Sequence, residues 1–172
     1  ALRQAVELDS TDPQKYVWLA RTLLSSGSPR EAEIEYTTAL SLDGRYVEAY
    51  VGRAMAQAEQ GDLVSAQADL TMAQNISSYD PAALNGQAWF YAWYLRDNWP
   101  EAERLAQRAV AGAENDFKKA RYLYTLGWIY YQQERYEEAQ AVLEEAASLA
   151  TVEGEVVYEE ITTLLQDVRE KR

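Results

Sequence analysis

Residues 87–102 read QAWFYAWYLRDNWPEA and place six aromatic rings, Trp89, Phe90, Tyr91, Trp93, Tyr94 and Trp99, within eleven positions. Rings at that density can contact a membrane, cage a ligand, or fill a core with large side chains. Acidic pairs are the other residues whose type and spacing suggest chemistry: Glu137-Glu138, Glu144-Glu145 and Glu159-Glu160 could hold a metal or work as acid and base. Adjacent residues on a helix point about 100° apart, which suits one shared site poorly and the solvated outer face of a helix well. The chain has no cysteine and no histidine, which removes disulfides, thiolate nucleophiles, imidazole bases and the common zinc ligands together. It contains no GxxxxGK(S/T), GxGxxG or GxSxG pattern. No catalytic residue, metal ligand or cofactor is therefore assigned, and no enzymatic activity is expected.

The totals narrow the partners. A formal net charge of −12 repels phosphate backbones and anionic lipid surfaces, so neither nucleic acid nor a membrane is expected. No stretch approaches the roughly 20 apolar residues of a spanning helix, and the apolar run 88–95 is closed by Arg96 and Asp97. No signal peptide is visible, and the cytoplasm is the expected compartment, with an exported or membrane-tethered parent as the alternative. The start at Ala1, without methionine, reads as an excised or processed piece. Ala, Leu, Glu, Gln, Arg and Tyr dominate, a helix-forming composition, and the 172 residues suffice for one domain or a short repeat array.

Self-similarity decides between the two. Ala32, Tyr36 and Ala39 recur as Ala66, Leu70 and Ala73, as Ala102, Ala106 and Ala109, and as Ala139, Leu143 and Ala146, in steps of 34, 36 and 37 residues. Tyr16 and Tyr50, Ala20 and Ala54, and Gly27 and Gly61 keep the 34-residue register, as do Ala5 and Ala39. Each unit is punctuated as a helical hairpin. Asp12-Pro13 and Asp80-Pro81 read as an N-cap followed by proline at the first helical position. Gly27 and Gly61 mark the turn that ends the first helix. Ser28-Pro29-Arg30-Glu31 reads as a cap, a proline and a capping-box glutamate.

These residues resemble the tetratricopeptide repeat, a 34-residue helix–turn–helix family. Residues 13–46 supply Tyr16, Leu19, Ala20, Leu23, Gly27, Ala32, Tyr36, Ala39 and Asp43 of its pattern, and residues 120–153 supply Leu123, Leu126, Gly127, Tyr130, Tyr136, Ala139, Leu143 and Ala146. The resemblance implies an all-α, right-handed superhelical solenoid of antiparallel helix–turn–helix repeats with a C-terminal capping helix. Its expected segments are a trailing helix of a preceding repeat at 1–12 and repeats at 13–46, 47–80, 81–116 and 117–153. The repeat 81–116 carries a two-residue insertion, a leading linker (Phe117, Lys118, Lys119) opens 117–153, and the capping helix covers 154–172, with Val157, Ile161, Leu164, Leu165 and Val168 on its buried side. Arg53 and Gln57 stand where the family is apolar, which predicts a loosely packed hairpin at 47–80.

In this family the first helices line a concave groove where partners bind. Carried over position by position, the resemblance assigns Arg21, Asn85, Trp89, Trp93, Arg121, Tyr124, Trp128 and Tyr131 to that groove. The two-residue insertion leaves a second register open, in which Tyr91 and Tyr94 replace Trp89 and Trp93. The two-carboxylate clamp of some relatives is missing, since its places hold Val17, Arg21, Gly52, Ala82 and Gly86. The implied function is a non-enzymatic scaffold that holds a peptide or helix of another protein in an aromatic-lined groove. The alternative is a regulatory or self-associating segment of a larger polypeptide, enzymatic or not, with a homo-oligomer as its partner state.

Overall fold

The structure, a computed structural model, describes the backbone of residues 11–150 and 155–171 and the side chains of residues 11–150 and 158–171. Most of the expected trailing helix at 1–12, and the side chain of Val157, lie outside the described residues. The elements are α1 (Pro13–Ser25), α2 (Pro29–Leu42), α3 (Val47–Glu59), α4 (Leu63–Ile76) and α5 (Pro81–Trp89), which continues into a π-helical turn (Phe90–Leu95). There follow α6 (Trp99–Ala111), α7 (Asp116–Gln132), α8 (Tyr136–Leu149) and α9 (Glu155–Lys171). No strand occurs among the described residues, so the fold is all-α. The chain divides into two compact units, residues 1–86 and 87–172.

In the first unit α1 packs on α2, α2 on α3, α3 on α4, and the first helices α1 and α3 also adjoin. The repeating alanines explain how. Val17, Ala20, Ala32, Tyr36, Ala39, Ala49 and Ala56 form one core, with Tyr16, Leu23, Leu24, Leu40 and Tyr46 packed against it. Small residues bring helices close enough for single large rings to fill the gaps. Gly52 shows how close: a Cβ there would lie 2.2 to 2.6 Å from the Tyr36 ring. Gly52→Ala is therefore expected to destabilise by about 1–3 kcal/mol through overpacking, read from a urea melt.

Arg53 and Gln57 do not loosen the second hairpin as their polarity predicts. The Arg53 guanidinium donates to both carboxylate oxygens of Asp69 on α4, at 2.7 and 2.8 Å, and reaches the Thr37 hydroxyl at 3.3 Å. Gln57 and Gln60 donate to Glu33 at 3.3 and 2.8 Å. A paired polar layer replaces the apolar contact because a bidentate guanidinium–carboxylate pair satisfies both charges as they leave water. Gln57 Oε1 accepts no hydrogen bond among the described residues.

The punctuation holds with one exception. Asp12 accepts from the Gln14 N–H at 2.9 Å, and Asp80 from those of Ala82 and Ala83 at 2.9 and 3.1 Å. Ser28 makes no side-chain capping bond.

Left-handed residues end the first helices. Gly27 and Gly61 have φ of +77° and +84°, and Arg96 and Glu134 take the same role at +52° and +60°. The first two fall fourteen residues after the first residues of α1 and α3, whereas Arg96 falls fifteen after Pro81. The next helix starts two residues after Gly27, Gly61 and Glu134, but three after Arg96. The two-residue insertion of this repeat is thus split. One extra residue widens the helix into the π turn, and the other lengthens the connection, where Asn98 is also left-handed at φ +50°. The three residues read as a linker, 117–119, are instead helical. They form an added first turn of α7, which Asn115 caps by accepting from the Lys118 N–H at 2.8 Å.

A left-handed backbone costs a side-chain-bearing residue about 1–2 kcal/mol that glycine avoids. Glu134→Gly is accordingly expected to raise stability by about 1 kcal/mol, measured as a higher denaturation midpoint with unchanged slope.

In the second unit α7 packs on α6 and α8, and α9 lies mainly on α8 with a smaller contact to α7. Gly127 permits the approach of α8, because a Cβ there would fall 2.6 Å from Leu143 Cγ. Ile161, Leu164, Leu165 and Val168 of α9 are buried, as their spacing predicts for a capping helix. Glu138, Glu144 and Glu145 of the acidic pairs face water and make ion pairs. Glu144 meets Arg169 at 3.0 Å, Glu145 meets Lys119 at 2.6 Å, and Glu138 meets Arg135, which also binds Glu103 at 2.6 Å.

Candidate partner-binding surface

The aromatic run and α7 meet within the second unit. Trp89 and Trp93 are four residues apart, at the junction of α5 with the π turn, and their rings stack 4.9 Å apart at 13°. Tyr124 stacks on Trp89 at 5.9 Å. Trp128, one helical turn beyond Tyr124, touches Trp89 at 5.5 Å and Trp93 at 4.7 Å. Trp99, at the start of α6, approaches Trp128 from a third element at 6.4 Å. Trp89 and Trp93 therefore share a face with Tyr124 and Trp128. Tyr91 turns elsewhere, taking a 2.9 Å hydrogen bond from Gln87, and Tyr94 lies 5.9 Å from the buried Phe90.

The four rings are not equivalent. Trp93 is 38 % exposed, whereas Trp128 is only 6 % exposed. Trp128 is the floor on which the others rest and has little surface left to offer. Trp89 and Tyr124 are half-buried. Burial, and then the charge of Glu160, push the Tyr124 hydroxyl up to about 12, so it stays a neutral donor throughout the physiological range.

The other expected groove residues are more scattered. Arg121 lies on α7 one turn before Tyr124 and is partly exposed. Tyr131 is half-buried and packs on Tyr136 at 5.9 Å. Arg21 and Asn85 belong to the first unit. Arg21 pairs with Glu48 at 3.6 Å, and Asn85 Oδ1 is enclosed without a hydrogen-bond partner among the described residues.

Two contributors escape sequence reasoning. Trp99 sits outside the family's groove positions and is brought in by the start of α6. Glu160, read as half of a solvated pair, reaches the neighbourhood of Tyr124 and Arg121 from α9. It keeps access to solvent. Partial burial nevertheless holds its carboxyl above the usual carboxylate range, with the Arg121 charge acting in the opposite sense. No salt bridge engages Glu160 among the described residues. The 100° between neighbouring helical positions separates it from Glu159, a signal that becomes usable only once the face of α9 is known.

Family profiles described as tetratricopeptide repeat match residues 19–81 and 81–151. The chain belongs to the tetratricopeptide repeat family. No curated protein matches the sequence. Among solved structures it is similar to TTC0263, a thermophilic TPR protein of Thermus thermophilus, with 22 % identity, a TM-score of 0.71, and 94 % of this chain and 87 % of that one covered. It is similar to pilF of Pseudomonas aeruginosa with 21 % identity, a TM-score of 0.66, and 94 % and 71 % covered. It is also similar to YrrB, described as a TPR protein with an unusual peptide-binding site, with 18 % identity, a TM-score of 0.54, and 100 % and 92 % covered. At these identities the likeness is one of fold. The repeats make the chain a protein–protein interaction scaffold in the general sense. No helix among the described residues is long and apolar enough to cross a membrane.

Proposed function

We propose that this chain is a non-enzymatic scaffold that holds a peptide segment or a helix of another protein, and that Trp93, Trp89 and Tyr124 form the principal contact. The observation that carries this reading is the exposure of Trp93 on a rigid aromatic floor: a large ring is presented to solvent while Trp128 beneath it is buried. Ordering such a ring ahead of binding reduces the entropy lost on association, which is why aromatic anchors dominate binding hot spots. The π turn supports the reading, because such turns are rare and occur frequently at functional sites. A peptide-binding site has been described on YrrB, which shares the fold. Arg121 and Tyr131, on the same helix as Tyr124, would extend the contact. Arg21 and Asn85 would serve the corresponding first-helix face of the first unit.

Peptide-array capture tests the proposal with Trp93→Ala against the unaltered protein. A hot-spot loss of about 2 kcal/mol, roughly thirty-fold in affinity, is expected together with an unchanged helical circular dichroism spectrum. Full capture by the folded variant would remove Trp93 from the site.

A further inference from the structure

We infer that the π turn is a register switch for the docking surface. With the surplus residue held inside the helix, Trp93 lies on Trp128; with that residue passed into the connection to α6, Trp93 turns off its floor. The inference rests on the docking reading above and adds to it how the site is regulated. The winding of the helix is its geometric basis. Successive residues advance by about 100° in an α-helix and by about 80° in a π turn, so four residues beyond Trp89 the two windings differ by roughly 70–80°. In the π winding the Trp93 ring stands 4.7 Å from Trp128 and 4.9 Å from Trp89. A rotation of that size about the helix axis parts Trp93 from Trp128, while Trp89, which precedes the turn, stays with Tyr124.

Three features make the exchange accessible. The connection has room for another residue, because Leu95, Arg96, Asp97 and Asn98 are all exposed and Asn98 makes no side-chain capping bond to α6. Its present form is also strained, since Arg96 and Asn98 are left-handed at φ +52° and +50°, a conformation L side chains rarely adopt. Passing one residue across moves the helix end to Leu95, fourteen residues after Pro81, the spacing Gly27 and Gly61 keep in the first two repeats, and frees Arg96 from its left-handed position. Finally, the core offers little obstruction. Of the two buried residues of the turn, Phe90 stands at its first position, where the rotation is smallest, and Ala92 is small. A partner that needs Trp93 on Trp128 binds one winding only, so it draws the population to that winding, and its affinity follows the fraction already wound that way.

The test uses the full chain labelled with 5-fluorotryptophan, first without peptide. The α-wound state is expected at about 1–10 %. The Trp93 and Trp128 resonances should then show microsecond-to-millisecond relaxation dispersion with one shared rate, and Trp18 none. Deletion of Tyr91 removes the surplus residue ahead of Trp93 and keeps that ring near its present direction; deletion of Leu95 removes it behind Trp93 and fixes the α winding. Both deletions should abolish the dispersion. Deletion of Leu95 should weaken capture of the tightest array peptide about ten-fold, and deletion of Tyr91 should hold it within about three-fold. Arg96→Gly keeps the chain length and relieves the left-handed position, so it decides the matter even where a deletion fails to fold: the minor population should fall about five-fold. Absent dispersion at Trp93, dispersion that survives deletion of Tyr91, an unchanged population in Arg96→Gly, or equal capture by the two deletions would each overturn the inference. If Trp93→Ala still abolishes capture in that case, docking stands on a fixed surface. If Trp93→Ala captures peptides as before, the docking reading falls and the regulatory role falls with it.

Discussion

Trp128→Ala is expected to destabilise the protein by about 3–5 kcal/mol, the range for removing a buried aromatic ring. The side chain is 6 % exposed and touches Trp89, Trp93 and Trp99, so its removal leaves a cavity beneath three indoles from two stretches of chain. For a chain of this size that corresponds to a midpoint lowered by on the order of 10 °C, if the second unit unfolds as one. Repeat arrays need not unfold in one step, so near-ultraviolet circular dichroism, which reports the aromatic cluster, is the appropriate probe. Trp93→Ala should cost much less stability, because the ring it removes is partly solvated already. Equal losses from the two substitutions would contradict the division of this cluster into a buried floor and an exposed contact. The same division decides which variants test binding: alanine at Trp128 probes folding first.

Asp69→Ala is expected to have the next largest effect, a loss of about 3 kcal/mol. It strands the Arg53 guanidinium between α3 and α4 without the carboxylate that takes two of its hydrogen bonds. The Thr37 hydroxyl at 3.3 Å is a poor substitute for a charge. The paired replacement Arg53→Leu with Asp69→Leu should be close to neutral, since it removes both charges and restores the apolar contact usual in the family. A double-mutant cycle on chemical denaturation measures the coupling directly. A small loss from Asp69→Ala alone would show that the pair is solvated and that the polar layer contributes nothing to the hairpin.

The parts of this molecule legible in its sequence are those fixed by local chemistry. Alanine spacing defines the buried stripes, Asp12 and Asp80 cap helices whose first residue is proline, and Gly27 and Gly61 mark left-handed turns because glycine alone adopts them freely. The same role goes unseen at Arg96 and Glu134, where a side chain bears the strain and no glycine marks the position. The π turn leaves no compositional trace. It shows only as a surplus of residues between two anchored landmarks, which is why the aromatic run admitted two registers. Arg53 looked out of place because its partner lies sixteen residues away on another helix, beyond any periodicity argument. For the aromatic surface, sequence periodicity grouped Trp89 with Trp93, and family positions grouped Tyr124 with Trp128. Which ring is covered depends on how α6 and α7 meet, so neither the burial of Trp128 nor the part played by Trp99 could be read in advance. Glu160 was obscured by its neighbour Glu159 for the same reason.

Fluorine NMR of protein labelled with 5-fluorotryptophan tests the central claim most directly, because four of the five tryptophans meet in the aromatic cluster and the fifth, Trp18, belongs to the first unit. Trp18 of α1 is 50 % exposed and lies in the first unit, so it serves as an internal control for non-specific contact with an exposed indole. Titration with the tightest peptide from the array should move the resonances of Trp93 and Trp89 in saturable fashion and leave that of Trp18 in place. Saturable movement of Trp18 alone, or binding that leaves Trp93 and Trp89 unmoved, would contradict the assignment of partner docking to the aromatic surface.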